Sequence, residues 1–181
     1  MKNLSKEYAR ALFELAEEEN IENIIFNEFS ELSKIFEDNP GYIKILSSYV
    51  ISKSEKVDLI DKTFKFKINN HLLNFLKVVV ENQHVYIFKN CFREYENIYN
   101  KKNNILIVTA YTSVCMTQEQ IKKLTLKLES LTQKKVFILN KIDCSLIGGI
   151  KISYGGKCID LSLEIYFKQL HYNLGTNNTN L

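Results

Sequence analysis

The sequence predicts an α+β fold: an amino-terminal six-helix bundle over residues 1–104, followed by a small α/β domain over residues 105–174 with a β-hairpin and a terminal helix. Three observations carry this. Apolar residues recur at helical spacing up to the polar run Asn100 to Asn104, and the period then drops to two in ILIVTAYT (105–112) and KVFIL (135–139). Four of the six glycines fall within residues 145–163 as the pairs Gly148-Gly149 and Gly155-Gly156. Charge changes at the same seam, from fifteen Lys/Arg against sixteen Asp/Glu up to residue 104 to nine against five beyond it.

Composition bounds the function classes. The 181 residues are 45% hydrophobic, enough for one large domain or two small ones. A net charge of +3, with both signs interspersed, gives no field for a nucleic-acid partner. Cys91, Cys115, Cys144 and Cys158 form no Cys-x-x-Cys pair, and the start MKNLSKEYARALF has no apolar signal core, which together imply reduced thiols in a cytoplasmic compartment. The cysteines read most simply as small core hydrophobes. The longest apolar runs, such as Val78 to Val80, fall far short of the roughly twenty residues of a bilayer span, so membrane association must come through partners.

The helices follow in order. The first, with Ser5 as its N-cap, places Leu4, Tyr8, Ala11 and Leu15 on one stripe and Ala9, Phe13 and Ala16 on another, with Leu12 between. That arc is wider than a helix lying on one layer needs, so it means either deep burial or a face kept for another helix. The second, roughly Ile21 to Asp38, buries Ile25, Phe29, Leu32 and Phe36 and ends at the chain's one proline. A helix capped by Ser54 follows. The next, NHLLNFLKVVVENQ, is apolar at so many positions that it must be central. The last of the set carries Ile87, Cys91 and Tyr95 on one side.

Beyond the seam, Thr117 and Gln120 form a capping box for an amphipathic helix between the two strands. A two-residue turn at Gly155-Gly156 makes a hairpin that sets Ile152 opposite Ile159 and Ile150 opposite Leu161. Asp160 or Ser162 then caps a last helix whose Leu163, Tyr166, Phe167 and Leu170 face the sheet. The tail from residue 175 to 181, with no core-forming pattern, is expected to be disordered.

Little here points to chemistry. A phosphate loop would need glycine where Lys151 stands and a hydroxyl where Cys158 stands. His71, His84 and His171 lie far apart with no metal-ligand spacing. Glu17 to Glu19 read as a solvated helix end, and YTSVC lacks the glycines of a nucleophile elbow. No catalytic residue, metal or cofactor is expected.

YARALFELA at 8–16, VVVEN at 78–82, YTSVCMTQEQ at 111–120, KVFILNKIDCSLIGG at 135–149 and IDLSL at 159–163 stand in an order that resembles the delta subunit of bacterial F-type ATP synthase, counterpart of the mitochondrial oligomycin-sensitivity-conferring protein. His84 departs from the arginine common after the Glu-Asn pair, and Ser113 from a common alanine. The resemblance implies a non-catalytic peripheral-stalk protein at the cytoplasmic face of the cell (inner) membrane. Its bundle would take the amino-terminal helix of an alpha subunit in a groove between the first and fifth helices, lined by Tyr8, Ala11, Leu12, Leu15, Leu76, Val79 and Val80. Its second domain would meet the b subunits, with Gly148, Gly149, Gly155, Gly156, Asp160 and Ser162 supporting that contact. The other readings are a free-standing adaptor for some other amphipathic helix, told apart by copurification with alpha and b subunits, and a nucleotide-binding enzyme, told apart by a shift of the thermal midpoint with ATP.

Overall fold

A computed structural model describes residues 2–167, in two compact units that meet in sequence at Lys102 and Asn103. The first unit holds α1 (Lys2–Glu18), α2 (Glu22–Asp38), α3 (Pro40–Ser47), α4 (Lys53–Phe64), α5 (Asn70–Glu81) and α6 (Phe88–Lys102), with a 3-10 turn at Val85–Ile87. The second holds β1 (Ile105–Thr112), α7 (Gln118–Thr132), β2 (Lys135–Ile142), β3 (Gly149–Tyr154) and β4 (Lys157–Ser162), after which residues 163–167 are helical. The expected positions of Leu170 and of the tail lie outside the described residues.

The core of the helical unit is aromatic. Phe29 on α2 is fully buried and its ring meets those of Phe75, Phe88, Phe92 and Tyr95 at centroid distances of 5.0 to 5.7 Å. Phe13 and Ala9 on α1 enter the same core, as do Ile25, Leu32 and Phe36 on α2. Helix α5 is central as its pattern predicts: Leu72, Leu73, Phe75, Leu76, Val79 and Val80 are all buried.

Local rules decide where helices begin and end. Ser5 is not an N-cap: α1 already runs from Lys2, and Ser5 is buried within it. The cap of α4 is Ser52 rather than Ser54, because Glu55 stands at the third helical position and closes a capping box, its side chain accepting from the Ser52 N–H at 3.0 Å. Ser54 has Val57 at the corresponding place and could close none. The box of Thr117 and Gln120 forms on α7.

In the second unit the strand order is β2-β1-β3-β4, with β1 and β2 parallel across the α7 crossover and the other pairs antiparallel. The hairpin register is Ile152 opposite Ile159 and Ile150 opposite Leu161. Helix α7 lays Leu124 and Leu128 on the sheet face formed by Val108, Val136 and Ile152. Because side chains alternate across a sheet, Ile107, Tyr111, Phe137 and Leu139 share the opposite face, where Phe137 is 48% and Leu139 54% exposed. In the described part of the final helix, Leu163, Tyr166 and Phe167 remain about half exposed rather than packed on the sheet. The cysteines divide: Cys91 is buried and its thiol is pushed up to about 12 by desolvation, whereas Cys115, Cys144 and Cys158 are exposed and contribute no core.

Candidate helix-binding groove and hairpin support

Helices α1 and α5 lie side by side in opposite directions, pinned at both ends. At one end His71 Nε2 reaches Glu19 Oε1 at 3.0 Å. At the other, Asn82 Nδ2 donates to the Tyr8 hydroxyl at 3.1 Å, and that hydroxyl shares a hydrogen bond with His84 Nδ1 at 3.3 Å. Tyr8 to Glu19 and Asn82 to His71 are equal steps along the two helices, so the residues between them run in register. Both helices close with the same backbone turn: Ile21 N–H bonds to Ala16 O and Asn20 N–H to Glu17 O after α1, while His84 N–H bonds to Val79 O and Gln83 N–H to Val80 O after α5. Asn20 and Gln83 supply the left-handed residue that this Schellman closure needs. The turn after α5 is what brings His84 back against Tyr8.

Between these pins the seven expected groove residues separate into two layers. Tyr8 is half-buried, Ala11 is exposed and Leu15 is 47% exposed, so these three line an open surface at helical spacing. Leu12, Leu76, Val79 and Val80 do not: each is buried in the bundle core and serves as the floor beneath. The pattern missed Val78, whose 43% exposure puts an aliphatic side chain on the α5 side. It also missed Asn82. A valine directly before two buried valines reads as core in a run of apolar letters, and only its angular position on α5 turns Val78 outward. Tyr8 packs edge-on against Phe75 at 6.1 Å and against the His84 ring at 5.9 Å, which fixes its ring at one end of the strip.

The face of α1 away from α5 is tied to α6. Lys102 Nζ lies 3.0 Å from Glu17 and 2.8 Å from Glu22, and its cation stands 5.6 Å from the Phe13 ring centroid. The hydrogen bond from Lys102 holds the Glu22 carboxyl below its ordinary range, and the two carboxylates hold the Lys102 ammonium above its own. Glu17 to Glu19 therefore divide their work: the outer two clamp α1 to α6 and α5, and Glu18 faces solvent.

In the second unit the glycine pairs do different jobs. Gly155 and Gly156 have φ of +52° and +78°, both in the left-handed region that a two-residue hairpin turn demands, and a Cβ at either would meet nothing within 4 Å. Gly149 is confined twice over: its φ is +86°, and a Cβ there would sit 2.5 Å from the Leu161 carbonyl oxygen and 2.8 Å from Ser162 Cα. Gly148 lets the Leu163 side chain approach, a Cβ lying 2.8 Å from its Cδ1, while its carbonyl accepts from the Leu163 N–H at 3.0 Å. Asp160 Oδ1 accepts from the Ser162 N–H at 2.9 Å, and Ser162 is buried opposite Gly149 in the ladder. A polar knot that the sequence did not reveal holds the top of the sheet: Asn140 donates to Ala110 O and Thr112 Oγ1 and accepts from the Met116 N–H.

The sequence profile of the ATP synthase delta (OSCP) subunit family matches residues 4–174. The chain belongs to this family. It is 33% identical over 161 residues to an ATP synthase subunit delta of Clostridioides difficile, covering 87% of each chain. Against the subunit delta of Prochlorococcus marinus the identity is 31% over 175 residues, covering 96% of this chain and 97% of that one. A chain of the Toxoplasma gondii mitochondrial ATP synthase hexamer has the same fold, with a TM-score of 0.75, 18% identity and coverage of 94% and 97%. As a member of the delta (OSCP) family the chain is a peripheral-stalk subunit of ATP synthase, a structural rather than a catalytic component of that membrane-associated complex. No helix among the described residues is long and apolar enough to cross a membrane.

Proposed function

We propose that this subunit is a two-ended clamp. In this reading α1 to α6 act as one six-helix bundle that receives the amino-terminal helix of an alpha subunit between α1 and α5, and the α/β unit holds the distal ends of the b subunits. The clamp works at the cytoplasmic face of the cell (inner) membrane, and its membrane association runs through the complex. The carrying observation is the strip of Tyr8, Ala11, Leu15 and Val78, open to solvent above a closed core and bounded by polar pins.

The chemistry of such a strip is that of helix capture. Small Ala11 allows close approach, the flanking aliphatics supply burial at about 25 cal/mol per Å², and anchors at i, i+3 and i+7 spacing match one face of an incoming helix. Torque from the rotor demands slow dissociation rather than a reactive group, and buried apolar anchors are what lower an off-rate. The open sheet face with Phe137 and Leu139, and the half-exposed Leu163, Tyr166 and Phe167, give the α/β unit apolar surface for the b subunits.

The test is reconstitution. Membranes stripped of the catalytic head and of this subunit should regain ATP-driven proton pumping when the head and the subunit are added together, and the subunit should copurify with alpha and b. Recovery of coupling without the subunit, or copurification with neither partner, would contradict the reading and favour a free-standing adaptor.

A further inference from the structure

Away from α1 and α5, a cleft of about 820 Å³ opens between α2, α3 and the connection from α4 to α5. That volume lies in the range of about 300–1,000 Å³ typical of sites for small organic ligands. One wall is aromatic: the Tyr42 ring stacks on Phe36 at 5.7 Å and meets Phe64 edge-on at 6.0 Å, and its hydroxyl donates to Thr63 Oγ1. The facing wall, on α2, is acidic. Glu28 is engaged, its Oε2 accepting from the Asn69 N–H at 2.6 Å. Glu31 and Asp38 are exposed on the same face of α2 and have no ion pair among the described residues, and Lys67 is the single cation among the lining residues. Between the two carboxylates Ile35 stands 46% exposed.

The mouth is also wider than the fold requires. Gly41 lines it at the second position of α3, directly after Pro40. Its φ lies outside the left-handed region and a Cβ there would meet nothing within 4 Å, so neither backbone nor packing asks for glycine.

We propose that this cleft binds an organic cation with an apolar body, of the arylalkylammonium class. The apolar body would lie against Ile35 and Phe64. The ammonium head would lie over the Tyr42 ring, which attracts cations through its electron-rich face, within the field of the unpaired Glu31 and Asp38. An anionic ligand of the same shape would meet that field with the wrong sign. The site is separate from the α1/α5 groove and does not depend on the clamp reading.

Titration of the ¹⁵N-labelled full chain with 4-phenylbutylammonium, 4-phenylbutanol and 4-phenylbutyrate tests this by amide chemical shifts. The ammonium should produce saturating shifts centred on Ile35, Asn39, Gly41 and Ile68, with an affinity about tenfold above that of the alcohol, and the carboxylate should give no saturation. The double variant Glu31→Gln, Asp38→Asn, which touches only exposed groups, should bring the ammonium down to the alcohol's affinity. Gly41→Leu, which fills the mouth, should abolish both while leaving the helical circular dichroism unchanged. Equal affinity for ammonium and alcohol in the parent chain, shifts centred elsewhere, no saturation with the ammonium, or an undiminished preference for the cation in the double variant would each overturn the proposal.

Discussion

The two units solve the problem of a buried core in opposite ways. The helical unit surrounds Phe29, Phe88, Tyr95 and the inward side of α5 on all sides, and its exposed apolar surface beside α1 is a narrow strip. The α/β unit is a sheet with a helix on one face, so its buried cluster among the described residues is small, Val108, Val136 and Ile152, while Phe137 and Leu139 on the other face and Leu126 and Leu131 on α7 stand about half exposed or more. A single layer of helix cannot cover both faces of a sheet. The helical unit thus draws its stability from within, whereas the α/β unit draws more of its own from backbone pairing and tight turns and leaves apolar area on its sheet and on α7 exposed.

The largest expected effect lies in the closed core. Phe29→Ala removes a ring that meets four others and should cost about 3–5 kcal/mol in a denaturant melt, because the surrounding rings cannot collapse into the void. A loss below about 1 kcal/mol would mean that the core is less closed than described. In the α/β unit the sensitive places are turns. Gly149→Ala combines an unfavourable φ, worth about 1–3 kcal/mol, with a clash against the Leu161 carbonyl and Ser162 Cα, whereas Gly155→Ala carries the φ cost alone. Melts of the two variants should therefore rank Gly149→Ala as the more damaging, and equal losses would show that the close approach at Gly149 contributes nothing. The smallest effect belongs to the open face. Phe137→Glu should leave stability within about 0.5 kcal/mol, as surface changes usually do, yet weaken binding of a soluble b-subunit fragment at least tenfold. Unchanged b binding would remove this face from the proposed contact.

Much of this contrast was legible in the sequence because it rests on periodicity. The change from helical spacing to alternation falls at the polar run before Ile105, and the register of Ile152 with Ile159 follows once Gly155-Gly156 is read as a two-residue turn. What stayed hidden depends on direction rather than spacing. Leu12 shares an apolar arc with Tyr8, Ala11 and Leu15 on α1, and Leu76, Val79 and Val80 share one with Val78 on α5, and only the third dimension separates floor from surface. Ser52 carries a readable signal in its Ser-x-x-Glu box, while Ser54, with Val57 three residues on, has no such signal beyond being a serine near a helix start. The pins at Tyr8, Asn82 and His84 join residues more than seventy positions apart, beyond any local pattern. The packing of Leu163, Tyr166 and Phe167 against the sheet failed for a related reason: an amphipathic pattern says that a face seeks cover, not that its own chain supplies it.

The strip beside α1 gives the most direct test of the clamp. Ala11→Arg places a long cation on an exposed position of α1, so the helical unit should melt within about 0.5 kcal/mol of the parent. An incoming helix would then have to bury that cation or be held away, which should cost several kcal/mol, and each 1.4 kcal/mol is about tenfold in affinity. Calorimetric titration with the alpha subunit's amino-terminal peptide should accordingly show at least a hundredfold loss for Ala11→Arg at unchanged stability. Parental affinity in the folded Ala11→Arg chain would contradict the account and place the captured helix elsewhere.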